Sequence, residues 1–223
     1  MSGTELRNIS FHGIGTPDGP EREPDEHRYW VSESAFLRIL DLIAEQENVR
    51  ISFDDGNASD AAIALPALKE RGLTADFFPI ADRLGTAANL DDGAVRALAE
   101  AGMTVGTHGA AHRPWTKVPP ADQAGELQDA RARIAEAAGR PVETAACPFG
   151  AYDRKVLQAL RAAGYTTVFT SDARPAQSGK WLQPRYSVEA DDTPESVRAR
   201  MLTPHGARER AVDHAVLLVK AWR

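Results

Sequence analysis

The sequence predicts a (β/α) barrel of about seven strands, and three observations lead there. Short apolar runs alternate along the chain with longer segments in helical register, so each strand-to-strand crossover is long enough for parallel pairing. No glycine-rich phosphate loop opens an early helix, since Gly13-x-Gly15 is too short, and this disfavours an open doubly wound sheet. Residues able to do chemistry, namely Asp54, Asp55, His108, the Pro148-Phe149 pair and His12, fall at predicted strand C-terminal ends, the face on which such barrels carry their sites. A chain of 223 residues, 43% hydrophobic, has the length and apolar content for one such domain.

Residues 8–12 form a predicted strand ending in Gly13-Ile14-Gly15, and the polar, proline-rich residues 16–27 are expected as a surface loop. Ser32 caps a helix that carries Phe36, Leu37, Leu40, Ile43 and Ala44 on one face. Residues 49–53 are the second strand. Ser59 is placed to cap the next helix, which must bend or restart at Pro66 and ends before Gly72. Residues 74–80 read as a strand, 92–101 as a helix stopped by Gly102, and 103–107 as a strand. A long helix over 120–138 ends at Gly139, a strand follows at 143–147, and Asp153 caps a helix that stops at Gly164. Residues 165–170 and 184–188 supply the last strands. Thr193-Pro194 opens another helix, with proline where its missing N–H costs nothing, and residues 207–223 are expected as a C-terminal helix.

The formal net charge of −6, with Lys and Arg scattered along helices, argues against a nucleic-acid or anionic-membrane surface. The single cysteine, Cys147, rules out an internal disulfide and fits a reducing compartment. No signal-like apolar region follows Met1 and no stretch reaches membrane-span length, so a soluble, cytoplasmic protein is expected.

The chemistry gathers around residues 51–56, Ile-Ser-Phe-Asp-Asp-Gly, where an apolar strand runs into two adjacent carboxylates and a glycine. Neighbouring strand side chains point to opposite faces, so Asp54 and Asp55 can take different tasks. The same three letters at Asp91-Asp92-Gly93 open a helix instead. After the fourth strand, His108 and His112 lie four apart, and one helical turn would place both rings on one side as a metal-ligand pair. One carboxylate and two imidazoles suit a zinc-like divalent cation with positions left open for water and substrate.

Ser52-Phe53-Asp54-Asp55-Gly56, His108-x-x-x-His112 and Cys147-Pro148-Phe149-Gly150-Ala151-Tyr152 resemble, in order, the first three motifs of the polysaccharide deacetylase (NodB-homology) family of carbohydrate esterases, a likeness spanning roughly residues 51–186. The resemblance implies a distorted (β/α)7 barrel that uses a divalent metal, with zinc the expected ion, to hydrolyse N- or O-acetyl groups on sugars. It implies Asp55, His108 and His112 as metal ligands and Asp54 as the general base toward the attacking water. It implies the Phe149 backbone N–H as an oxyanion donor, with Pro148 and Gly150 shaping that turn.

The departures from the family pattern are specific. Ala146 stands where the third motif usually has an arginine beside the base, which would leave Asp54 more basic unless Arg185 supplies the cation from another direction. The leucine-histidine of the fifth motif has no counterpart in residues 215–220, so His12 is the first candidate for the acid that protonates the leaving group, with His205 a weaker one. Asp172 resembles part of the fourth motif, though Trp181 is too distant to complete it. Asn57, Trp115 and Tyr152 are candidate substrate contacts, with Trp30 a further aromatic near the mouth, each weighed against plain packing. Cys147 reads as a small buried residue rather than a nucleophile. Two rival functions remain open: a hydrolase of another C–N bond, such as that of a cyclic imide or ureide, and a non-catalytic metal- or carbohydrate-binding homologue.

Overall fold

The computed structural model describes residues 4–17, 19–203 and 206. The expected helix over 207–223 and the candidate His205 lie outside the described residues.

Parallel staves follow one another around a distorted (β/α)7 barrel in chain order. They are β1 (Glu5–Phe11), β2 (Val49–Asp55), β3 (Ala75–Pro79), β4 (Thr104–Val105), β5 (Thr144–Ala146), β6 (Thr167–Thr170) and a last stave broken into β7 (Leu182–Pro184) and β8 (Tyr186–Ser187). β7 pairs with β6, while β8 pairs with β1, so the wall closes through the residue between them, Arg185. The distortion sits opposite, between β4 and β5, where Thr107 bridges to Ala145: its N–H donates to Thr144 O at 3.0 Å and its carbonyl accepts from Ala146 N–H at 2.9 Å.

Strand alternation sorts the side chains. Phe11, Phe53 and Phe77 stand opposite one another in register and stack at 5.5 and 4.7 Å, with Phe36 of α1 (Glu33–Ala44) edge-on to Phe11 at 5.2 Å. That face belongs to the packing between wall and helices. The alternate positions on β2, Ser52 and Asp54, therefore point into the barrel.

The expected caps form at Ser32 and Asp153, and Asp91 caps the helix that its triplet opens; their side chains accept from Ala35, Val156 and Ala94 N–H. These caps open α1, α3 (Asp92–Glu100) and α5 (Arg154–Ala162). Ser59 does not cap; its hydroxyl accepts from Ile14 N–H at 3.3 Å, and a π turn (Asp60–Ala64) leads into α2 (Leu65–Glu70), with Pro66 in its first turn. The helical stretch over 120–138 is likewise interrupted by a π turn at Gly125–Asp129 before α4 (Ala130–Ala138). Thr193 and Ser196 form a capping box on α6 (Pro194–Val197). Among the described residues no helix is long and apolar enough to cross a membrane.

Residues 16–27 form the expected surface loop, mostly exposed among the described residues, but one that is tied down at the barrel mouth. Their two ends are clamped where Gly13–Ile14 pairs in parallel with Trp30–Val31, and Gly15 N–H donates to Val31 O at 2.8 Å. Between these ends the chain passes over the barrel mouth as a strap, with a 3-10 turn at Glu26–Tyr29.

Candidate metal centre

β2 delivers its two carboxylates differently because the backbone changes hand between them and the following turn. Asp54 follows the strand inward and is 1% exposed. Asp55 adopts a left-handed φ of 73°, which takes its carboxylate out of the strand's alternation and over the rim. Gly56 continues at φ 71°, and a Cβ there would lie 2.7 Å from Pro79 Cβ, so only glycine fits where β2 leaves the barrel against β3.

The histidine pair converges without a helix. The predicted helical turn is replaced by an irregular loop that Gly109 and His112 bend through left-handed φ values of 84° and 54°. Glu126 holds this loop from outside. Its buried carboxylate, turned inward on the π turn, accepts from Ala110 N–H at 2.9 Å and from Arg113 Nε at 2.9 Å. The rings of His108 and His112 lie 4.9 Å apart, and each spends its Nδ1 on an acceptor. His108 Nδ1 donates to Ala146 O at 2.9 Å, and His112 Nδ1 donates to Glu23 Oε1 at 2.6 Å. A carbonyl and a carboxylate can only accept, so both Nε2 atoms keep a lone pair directed at Asp55. Their distances to Asp55 Oδ1 are 3.8 and 3.5 Å.

One ligand atom each from Asp55, His108 and His112 thus lies within 4.8 Å of the others. Asp55 Oδ1 is buried without a hydrogen-bond partner, a costly state that a cation would relieve. The donor set, its spacing and the orphaned oxygen all fit a divalent cation of the zinc type. Burial pushes the pKa of His108 down to about 4, which keeps that ring neutral. For His112 burial acts the same way, but the hydrogen bond to Glu23 and the charges of Asp55 and Glu23 outweigh it and raise its pKa.

Asp54 lies beside this trio in a different electrostatic setting. Arg185, fully buried at the break in the last stave, grips it bidentately, Nη1 to Oδ1 and Nη2 to Oδ2, both at 2.7 Å. The guanidinium also donates to Ser52 Oγ at 3.0 Å and to Thr170 O at 3.3 Å, and it packs over the Phe78 and Phe169 rings at 5.5 and 5.7 Å. Burial alone would raise the Asp54 pKa. The charge of Arg185, with smaller help from His108 and His12, overrides it and holds the carboxyl well below the usual range. Arg185 is thus the cation from another direction that the sequence left open, and with it Asp54 is not made more basic by Ala146.

Comparison with known proteins identifies the family and the fold. Residues 43–168 match the family described as polysaccharide deacetylase. The chain belongs to the polysaccharide deacetylase family. A Bacillus subtilis relative, YxkH, is 23% identical over 82% of this chain and 71% of its own length. The deacetylase PplD of Streptococcus pyogenes, solved in complex with acetate, superposes with a TM-score of 0.79 at 20% identity, covering 91% of this chain and all of that one. BC0361, a polysaccharide deacetylase from Bacillus cereus, superposes at 0.77 with 17% identity, over 89% of this chain and 69% of its own. At these identities the superpositions bear on the fold.

Within this polysaccharide deacetylase scaffold, a cavity of about 260 Å³ opens above the trio. It is lined by His12, Phe149, Ser171 and Ser187 as well as by Asp54, Asp55 and strap residues including Glu23 and Tyr29. His12 Nε2 stands 3.9 Å from Asp54 Oδ2, with its ring against Tyr29 at 4.8 Å. Phe149 is 57% exposed, has a φ of 58°, and its ring lies tilted against His112 with centroids 4.4 Å apart. Pro148 is buried, and Gly150 turns at φ 61° where a Cβ would meet Ser171.

The three proposed substrate contacts do not line the cavity. Asn57 is buried with its amide committed at both ends, Nδ2 to His12 O at 3.0 Å and Oδ1 from Arg22 at 2.8 Å. Trp115 is buried in a second apolar cluster with Leu127 and Val156, because the loop carrying it folds back against α5. Tyr152 joins the same cluster and donates its hydroxyl to Asp172 at 2.9 Å, leaving no face for a sugar. Trp30 is spent against Gly13, and Trp181 donates to Tyr165 O at 2.8 Å beneath the Arg161 guanidinium. Sequence reasoning missed Glu23, Glu126 and Arg83. Each is an ordinary charged residue outside any motif, and no local signal separates it from a solvated one.

Proposed function

We propose that this polysaccharide deacetylase family member is a metal-dependent hydrolase that removes an acetyl group from an N- or O-acetylated sugar. The observation that carries this reading is the convergence of Asp55 Oδ1, His108 Nε2 and His112 Nε2 beside an Arg185-held Asp54 at the floor of a cavity. A divalent cation bound by Asp55, His108 and His112 would polarise the acetyl carbonyl and lower the pKa of a water from about 15.7 toward about 7. Asp54, kept ionised by Arg185, accepts the proton of the attacking water. Arg185 restrains both carboxylate oxygens, so Asp54 presents the same edge to the cavity throughout. His12 delivers a proton to the departing nitrogen or oxygen, and the backbone at Phe149 steadies the oxyanion. Water is consumed, the acyl C–N or C–O bond breaks, and acetate leaves with a free amine or hydroxyl on the sugar. The complex of PplD with acetate supports this product, as does family membership.

Acetate release from N-acetylglucosamine oligomers, measured with zinc-loaded protein and with Asp54→Asn, tests the reading. Metal-dependent release that Asp54→Asn abolishes is the expected result. No release from these or from O-acetylated sugars would overturn it.

A further inference from the structure

We infer that Glu23 is a positioning residue for His112, so that seating of the strap and loading of the metal are one linked event. This rests on the metal-centre reading given above. The two histidines are supported unequally: His108 donates to a neutral backbone carbonyl on β5, whereas His112 donates to a full carboxylate at 2.6 Å. Such a carboxylate fixes the tautomer, orients the ring and makes the opposite nitrogen a better ligand. Glu23 Oε1 is itself gripped by Arg83, from the turn after β3, which holds it in place without competing for the ring.

The placement of Glu23 gives this support its consequence. It sits on the strap, not on the barrel wall, and its neighbour Arg22 donates to Asn57 Oδ1 at 2.8 Å and Asn89 Oδ1 at 3.0 Å. Two consecutive strap residues therefore clasp the segment just after Asp55 and the ring of His112. Lifting the strap would leave the His112 Nδ1 without its acceptor. By linkage, whatever affinity the seated strap gives the metal, the metal returns as stability of the seated strap.

The test measures Zn²⁺ affinity of the metal-stripped full chain by competition with a chromophoric chelator. Glu23→Ala is expected to weaken binding about 10- to 100-fold, and Glu23→Gln, whose amide oxygen still accepts from Nδ1, to recover part of the loss. In a His112→Ala background, Glu23→Ala should change affinity less than about twofold, because the two act through one ring. Zn²⁺ should also slow tryptic cleavage after Arg22 and Arg28 in the wild type and not in Glu23→Ala. Unchanged affinity in Glu23→Ala, an equal loss in both backgrounds, or strap cleavage indifferent to Zn²⁺ would overturn the inference while wild-type binding stands. Absence of Zn²⁺ binding by the wild type, or binding indifferent to Asp55→Ala, would overturn the metal centre and this inference with it.

Discussion

Replacing Arg185 with methionine isolates the most consequential ion pair in the molecule. Both partners are buried, Arg185 fully and Asp54 to 1% exposure, and they share two hydrogen bonds of 2.7 Å. Methionine fills much of the stem volume but leaves the Asp54 carboxylate in the barrel without a counter-charge. Breaking a buried pair from one side costs about 3–5 kcal/mol, because the surviving charge loses its compensation. For a chain of 223 residues, at roughly 2–4 °C per kcal/mol, that is a fall in Tm of about 6–20 °C. The assay is urea unfolding of metal-stripped protein, wild type against Arg185→Met, at several pH values. The sign follows from linkage: the folded pKa of Asp54 is depressed, so its stabilisation is full above the unfolded value of about 3.9 and is lost as pH falls below it. The gap between wild type and variant should therefore be widest near neutrality and narrow in acid. Adding Asp54→Asn to Arg185→Met should restore stability, since it removes the stranded charge. A loss under about 1 kcal/mol, or a double variant no more stable than Arg185→Met alone, would refute the reasoning.

Three further outcomes are expected. His12→Asn should lower turnover about 10²- to 10⁴-fold while Zn²⁺ affinity holds, as loss of a proton donor rather than of a ligand requires, and chelator competition beside a rate assay checks both. Glu126→Ala strands the Ala110 N–H and should cost about 1–3 kcal/mol in chemical unfolding, with weaker Zn²⁺ binding because the histidine loop slackens. Asp60 is fully buried, neither carboxylate oxygen has a hydrogen-bond partner, and burial followed by repulsion from Asp55 and Asp54 raises its pKa well above normal. The fold thus binds a proton that the unfolded chain releases above about pH 3.9, and stability falls as pH rises from there toward the folded pKa. Asp60→Asn should gain on the wild type steadily over that rise in thermal melts of the stripped protein; parallel curves would exclude a neutral Asp60.

How much of the site could be read in advance depended on whether a residue's role was local. Asp54 and Asp55 were legible as a carboxylate pair at a strand end whose meaning came from the paired histidines some fifty residues on, although it is the left-handed backbone at Asp55, not strand alternation, that separates them. The shape of the histidine loop was not legible: left-handed backbone at His112 leaves no mark in the sequence, and spacing alone suggests a helical turn. Glu23 lies in a proline-rich polar stretch that looks solvated until the Gly13–Ile14 and Trp30–Val31 pairing folds it over the mouth. Trp115 and Tyr152 failed as substrate contacts for the converse reason. An aromatic ring three residues past a ligand can face either a groove or a core, and here the apolar cluster beneath α5 claims both.

Arg185 shows why a missing motif residue need not mean a missing function. The family's arginine would rise from β5 at the position of Ala146, beside the base. Here that position belongs to a buried trio of Phe78, Ala146 and Phe169, and the Phe78 and Phe169 rings meet at 5.2 Å. The guanidinium of Arg185 passes over those rings to reach Asp54. A long side chain at 146 would compete for the space that the rings fill, so a small residue there and an arginine at 185 are parts of one packing solution. A closed barrel makes the exchange possible, because every stave faces the same interior and a cation from the closing stave reaches the same carboxylate. The charge that keeps Asp54 ionised comes in this chain from the break between β7 and β8 and not from β5. That break also leaves Arg185 outside the regular ladder, where its carbonyl accepts from Ala173 N–H at 2.9 Å and its side chain turns inward.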